Sequence, residues 1–160
     1  MIDYTLTESG ASWIASRMSG TAANLDLIYV VYSNDSSEHT SIDAKTSAED
    51  FYNLNGNTWF MRVTNNVTVT SKPAQDGKYT VAVSGVVDRS DIMPKDNSPE
   101  LMAGQSKIIT IAVGYTGKGG TQDHDVIVAA CNVDPVSWVD NMAIAVSCPI
   151  TVVPYPVEDN

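Results

Sequence analysis

The sequence is poor in the side chains that most often carry chemistry or cross-link a fold: 160 residues contain two cysteines, two histidines and two phenylalanines. Cys131 and Cys148 are spaced like neither a zinc site nor a redox Cys-x-x-Cys, which excludes both classes on sequence grounds. Basic residues are scarce as well. Nine Lys and Arg against nineteen Asp and Glu leave a formal charge of −10, which repels phosphate backbones and anionic lipid surfaces and argues against nucleic acid or a membrane as partner. No apolar run approaches the roughly 20 residues that cross a bilayer as a helix. The stretch Met1–Thr5 has neither the basic n-region nor the apolar h-region of a secretory signal. The reading is synthesis in a cytoplasm, where the sequons at Asn34 and Asn66 have no role. There Cys131 and Cys148, each inside an apolar stretch (126–133 and 142–153), are expected as reduced, buried thiols. If those stretches are neighbouring strands, a disulfide between them is geometrically conceivable.

What is present is the material of one domain, with 43% hydrophobic against 18% charged residues. We read residues 1–153 as a single mainly β (α+β), antiparallel sandwich-like domain and 154–160 as an extended acidic tail. One helix is expected, over about 8–19, capped by Thr7 or Ser9, with Trp13, Ile14 and Met18 at one-turn spacing on the face that docks. Leu25–Tyr32 reads as the strand that receives it. Further on, Trp59, Met61 and Val63, then Val67 and Val69, flank Asn65-Asn66 and predict a hairpin. Tyr79, Val81 and Val83 alternate with Thr80, Ala82 and Ser84 as in a half-buried strand. Asp88–Gln105, with Pro94, Pro99 and Gly104, has the composition of a long excursion. Ile108–Tyr115, a flexible tip at Thr116–Thr121 and Val126–Val133 predict a strand and its antiparallel return. After a corner at Pro135 and Trp138, Met142–Val153 predicts the last strand.

Few residues suggest chemistry. Asp123-His124-Asp125 offers a nitrogen and two carboxylates to a cation, but in an extended strand the carboxylates and the imidazole face opposite ways, so the three converge only in a turn. His39 sits among Asn34, Asp35 and Glu38 in a polar stretch without a cation-loop pattern. Gly117-Lys118-Gly119-Gly120 lacks phosphate-loop spacing and joins two strands. No catalytic residue, cofactor or metal is expected. Trp13 and Trp59 read as core; Trp138 reads as the rim of a contact surface.

Two segments carry a resemblance. Leu6-Thr7-Glu8-Ser9-Gly10-Ala11-Ser12-Trp13-Ile14-Ala15, followed by Leu27–Tyr32, resembles the start of bacteriophage tail-fibre and tail-collar-fibre proteins, where a Thr-x-x-Gly helix precedes such a strand. Ile108–Tyr115, Gly117–Gly120, Asp125–Asn132 and Asp134-Pro135 resemble that family's strand, Gly-rich tip, return strand and Pro-containing corner. About a third of the chain is covered. It departs from the family before the return strand, where Ile111-Ala112-Val113-Gly114-Tyr115 stands in place of a Glu-Ile-Gly-Leu type motif. The resemblance implies an attachment domain without a fibre: an adaptor, collar, baseplate or capsid-decoration component of a virion, homo-oligomeric as a trimer or ring. Contacts are expected from Met93 and Leu101 in the long excursion, Tyr115, Lys118, Trp138, and Tyr155 and Val157 of the tail. The rival reading is a carbohydrate-binding β-sandwich using Trp138 and Tyr115.

Overall fold

In a computed structural model the described residues are 4–20, 23–33, 40–52, 58–73, 79–87, 107–137 and 144–152. They form β1 (Thr5–Leu6), α1 (Glu8–Met18), β2 (Leu27–Ser33), α2 (Ala48–Tyr52), β3 (Thr58–Val63), β4 (Thr68–Pro73), β5 (Tyr79–Val87), β6 (Lys107–Tyr115), β7 (Val126–Ser137) and β8 (Ile144–Val152). All strand pairs are antiparallel. The larger sheet is ordered β1-β7-β6-β2-β3 and the smaller β4-β5-β8, the mainly β architecture with one N-terminal helix that the sequence predicts.

Burial explains the strand patterns. Ile28, Val30 and Tyr32 of β2 join Val83 of β5 and Val146, Cys148 and Ile150 of β8 in the core between the sheets. Leu27, Tyr29 and Val31 enter a second core with Ala48 and Phe51 of α2. A strand covered on both faces needs no polar alternation, and the unbroken run from Leu27 to Tyr32 reflects this. In β5, covered on one face, Val83 and Gly85 are buried whereas Val86 is 55% exposed, as the alternation predicts.

Thr7 is the N-cap of α1: its hydroxyl accepts from Gly10 N (2.9 Å) and donates to Ile127 O (2.6 Å), while Thr7 N donates to Val128 O (3.0 Å). The cap therefore fastens the helix to β7. Trp13 packs half-buried against the inter-sheet core and donates Nε1–H to Ala23 O (2.8 Å). The rest of the expected docking face does not dock. Ile14 is 38% and Met18 86% exposed, and Gly10 is the buried residue of the helix. Docking through Thr7 and Gly10 brings α1 down on its first turn and leaves Ile14 and Met18 exposed.

Two local expectations change. Asn66 turns the chain with φ 58, but β3 and β4 form no hairpin: Val63 pairs with Ile28 in the larger sheet and Thr68 with Ser84 in the smaller. The turn is a corner that carries the chain from one layer to the other. Pro135 does not end β7. Ile108 pairs with Val136 and Thr110 with Asn132, so Val133, Asp134 and Pro135 stand opposite Ile109 alone, a bulge in which a residue without N–H breaks no ladder bond. Gly114 also lies at a register shift, where a Cβ would stand 1.8 Å from Val126 O. The excursion 88–105, the tail 154–160 and the turn at Asp76-Gly77 lie outside the described residues.

Candidate functional site

Of the expected contact residues, Tyr115 ends β6 half-buried against the inter-sheet core, and Lys118 is exposed at the start of a 3-10 turn, Lys118–Gly120. Met93, Leu101, Trp138, Tyr155 and Val157 lie outside the described residues, as do Asn34, Asp35, Glu38 and His39; of Trp59 the backbone alone is described. Asp123-His124-Asp125 does fall in a turn, the second 3-10 turn Gln122–His124, yet the three side chains part: Asp123 and His124 are exposed and Asp125 is buried. Among the described residues no three His, Cys, Asp or Glu side chains gather to hold a metal.

The Gly-rich connection between β6 and β7 is held by an ordered polar network. Gly119 and Gly120 turn at φ 81 and 68, and Gly120 N donates to Gly117 O (3.0 Å). This winding aims Asp125 at Arg62 of β3, beside Tyr29, its cross-strand neighbour on β2. Arg62 grips the carboxylate with two bonds, Nε to Oδ2 (2.6 Å) and Nη2 to Oδ1 (2.8 Å), and Nη2 also donates to Gly120 O (2.9 Å). Tyr29 donates its hydroxyl to Asp125 Oδ2, and the Tyr52 hydroxyl, 3.0 Å from that of Tyr29, shares its one proton between Gln122 O and Tyr29 Oη. Below them the Tyr29 ring meets Phe51 edge-on (centroids 5.5 Å) and Phe60 at 5.2 Å. At the other end of the connection, Asp26 accepts from Thr116 N (2.8 Å) and Thr116 Oγ1 (2.9 Å).

The electrostatics of this network describe a clamp. The hydrogen bond to Asp125 raises the Arg62 pKa still further, keeping it charged. Burial first, and then the bonds to Asp125 and Tyr52, hold the Tyr29 phenol protonated far above the ordinary tyrosine range, and burial raises Tyr52. Both oxygens of Asp125 are engaged, and both phenols are held neutral. The arrangement secures α2 and the 116–125 connection to the sheet. Sequence reasoning grouped Asp125 with its neighbours and missed its partner. The available signal was Arg62 itself, a lone charge in the apolar strand Trp59-Phe60-Met61-Arg62-Val63.

These phenols predict a loss of stability at high pH. Burial pushes Tyr32 up to about 12, and Tyr29 is raised further. Both stay neutral in the fold while the unfolded chain ionises near pH 10, so their contribution is complete below that pH and falls as pH rises toward the folded values. Denaturant unfolding at pH 9 and pH 11 should differ by about 2–3 kcal/mol from these two groups, with phenolate absorbance from them appearing only on unfolding.

Two surface features complete the description. A groove of about 350 Å³ runs beside α1, lined by Trp13, Arg17, Asn24, Leu25, Val69, Ser71 and Val81; Arg17 donates to Asn24 Oδ1 there (3.1 Å). Val69 is 46% exposed because β4 is an edge strand. The outer face of the smaller sheet presents Thr68 and Thr70 of β4, Ala82, Ser84 and Val86 of β5, and Ala145 and Ser147 of β8, in register across the three strands. Ser84 and Ser147 share a 3.1 Å hydrogen bond on it.

Fold and surface together define a two-sheet antiparallel β-sandwich closed by a capped helix, with one sheet face whose residues described above are Thr, Ser, Ala and Val. Compared with protein families, curated proteins and solved structures, the chain matches none.

Proposed function

We propose that this chain is a non-enzymatic structural component of a bacteriophage or phage-like particle, a tail-fibre attachment, collar, baseplate or adaptor protein that works in the virion by assembling with copies of itself and with other virion proteins. The observation that carries the reading is the outer face of the smaller sheet. Two copies of a chain of net charge −10 repel one another, and the face of Thr, Ser, Ala and Val is where they can approach without bringing carboxylates together. It is also flanked by the edges of β4 and β8, which have no further strand beside them among the described residues. The resemblance of the Thr7-x-x-Gly10 helix and its following strand to tail-fibre proteins favours the same role, and here those residues fasten the helix to β7.

The test is solution mass by light scattering over a range of concentrations, for the unaltered chain and for Val86→Asp. A trimer or larger ring that the substitution reduces to monomer, with the far-ultraviolet spectrum unchanged, is the expected result. A wild-type chain that stays monomeric at every concentration contradicts self-assembly, and saturable binding on a glycan array by that monomer would place the chain with carbohydrate-binding sandwiches instead.

A further inference from the structure

Among the described residues, the two cysteines are the nucleophilic side chains that the fold brings face to face. Cys131 lies on β7 of the larger sheet and Cys148 on β8 of the smaller, both free, both buried in the inter-sheet core, with sulfurs 3.8 Å apart. They are opposed across the sandwich, and so differ from the adjacent strands the sequence suggested. Cα atoms of β7 and β8 come within 8 Å of one another, so the two strands meet across the core. Ala129, two positions from Cys131 on the same face of β7, is small. Forming a bond of about 2.05 Å therefore needs an approach of under 2 Å, shared between side-chain rotation and the strands.

We propose that Cys131 and Cys148 are a disulfide site, which locks the two sheets together when the chain meets a low-molecular-weight disulfide. The contact with Cys148 draws the Cys131 thiol down, whereas the same contact, with burial, pushes Cys148 up. The first thiolate thus forms on Cys131. It attacks one sulfur of the oxidant, breaking that S–S bond, forming a mixed disulfide and releasing one thiolate. Cys148 then loses its proton and attacks the Cys131 sulfur, expelling the second thiolate. Two protons and two electrons pass from the protein to the oxidant, which leaves as two thiols. Access comes through β8, which pairs with β5 on one side and with no described strand on the other, so its local opening exposes both sulfurs while β6 and β7 stay paired.

The experiment is incubation of the intact chain with excess oxidised glutathione, and in parallel refolding from denaturant in the same buffer, followed by intact mass, peptide mapping and thermal unfolding. The expected product has lost two hydrogens, carries a link between the peptides of Cys131 and Cys148, and melts higher by roughly 6–12 °C, an increase that dithiothreitol reverses. Cys148→Ala should take one glutathione or none and show no such rise. Because the main comparison is the same chain oxidised and reduced, a poorly folded variant leaves it intact. Two free thiols after oxidative refolding, a stable glutathione adduct on the unaltered chain, links only between chains, or a linked chain that melts no higher would each overturn the proposal.

Discussion

Replacing Asp125 by alanine is expected to destabilise the fold by about 3–5 kcal/mol, the range for removing one partner of a buried ion pair. The side chain of Asp125 is fully buried and that of Arg62 is 14% exposed, so the orphaned guanidinium cannot recover its hydration without displacing the 116–125 connection. Tyr29 loses an acceptor at the same time, and α2 loses part of its tie to the sheet. Changing both members of the pair should hurt less. Asp125→Leu with Arg62→Met replaces two charges by apolar groups of similar bulk and should regain much of the loss, because the desolvation penalty disappears along with the attraction. Denaturant unfolding of the single and double variants measures this directly. A loss below about 1 kcal/mol in Asp125→Ala would mean that the pair is solvated like a surface salt bridge.

Gly10→Ala separates packing from helix propensity, since the two predict opposite signs. Alanine in place of glycine inside a helix is favourable by about 1 kcal/mol through the unfolded chain. Here, however, a Cβ would stand 2.0 Å from Val128 O and 2.8 Å from Leu6 Cδ1. The carbonyl belongs to β7, which is paired on both sides in this region by β1 and β6, so the helix is what moves. Moving it breaks the hydrogen bonds of Thr7 and lifts Trp13 from the core. We expect a net loss of about 3 kcal/mol, from overpacking together with the lost cap, seen as a lower unfolding midpoint. A more stable Gly10→Ala would falsify the close docking of α1.

Features written in short-range chemistry were legible in the sequence. An N-cap at Thr7 or Ser9, the strand character of Leu27–Tyr32, the alternation in β5 and the pairing of β6 with β7 each depend on a handful of consecutive residues. What escaped depends on residues far apart. Asn65-Asn66 marks a turn, but whether the following strand folds back beside β3 or crosses to another sheet is decided by Thr68 meeting Ser84 rather than by the turn. Ile14 and Met18 have helical spacing, yet a carbonyl of β7 sets where the helix rests. Asp125 and Arg62 are 63 positions apart, and nothing around Asp125 reveals that it points inward while Asp123 and His124 point out. The Gly-rich tip read as flexible because glycine permits many conformations; in the fold Arg62 holds it in one.

The bond between Thr7 and Val128 spans 121 positions of the chain, and this span sets the order in which the protein can be completed. An isolated helix of 11 residues is marginal in water, and although Thr7 caps α1 locally, the helix gains its docking surface only from a strand made 121 positions later. At about 5–20 residues per second the ribosome needs on the order of 10 s to bridge that gap. Although α1 is made before β7, it becomes native only after β7 has formed. Central pairings such as Leu27 with Gly114 share this long reach, which places the chain among slow-folding topologies. During that interval the segment of Thr7 and α1 stays open to chaperones and proteases.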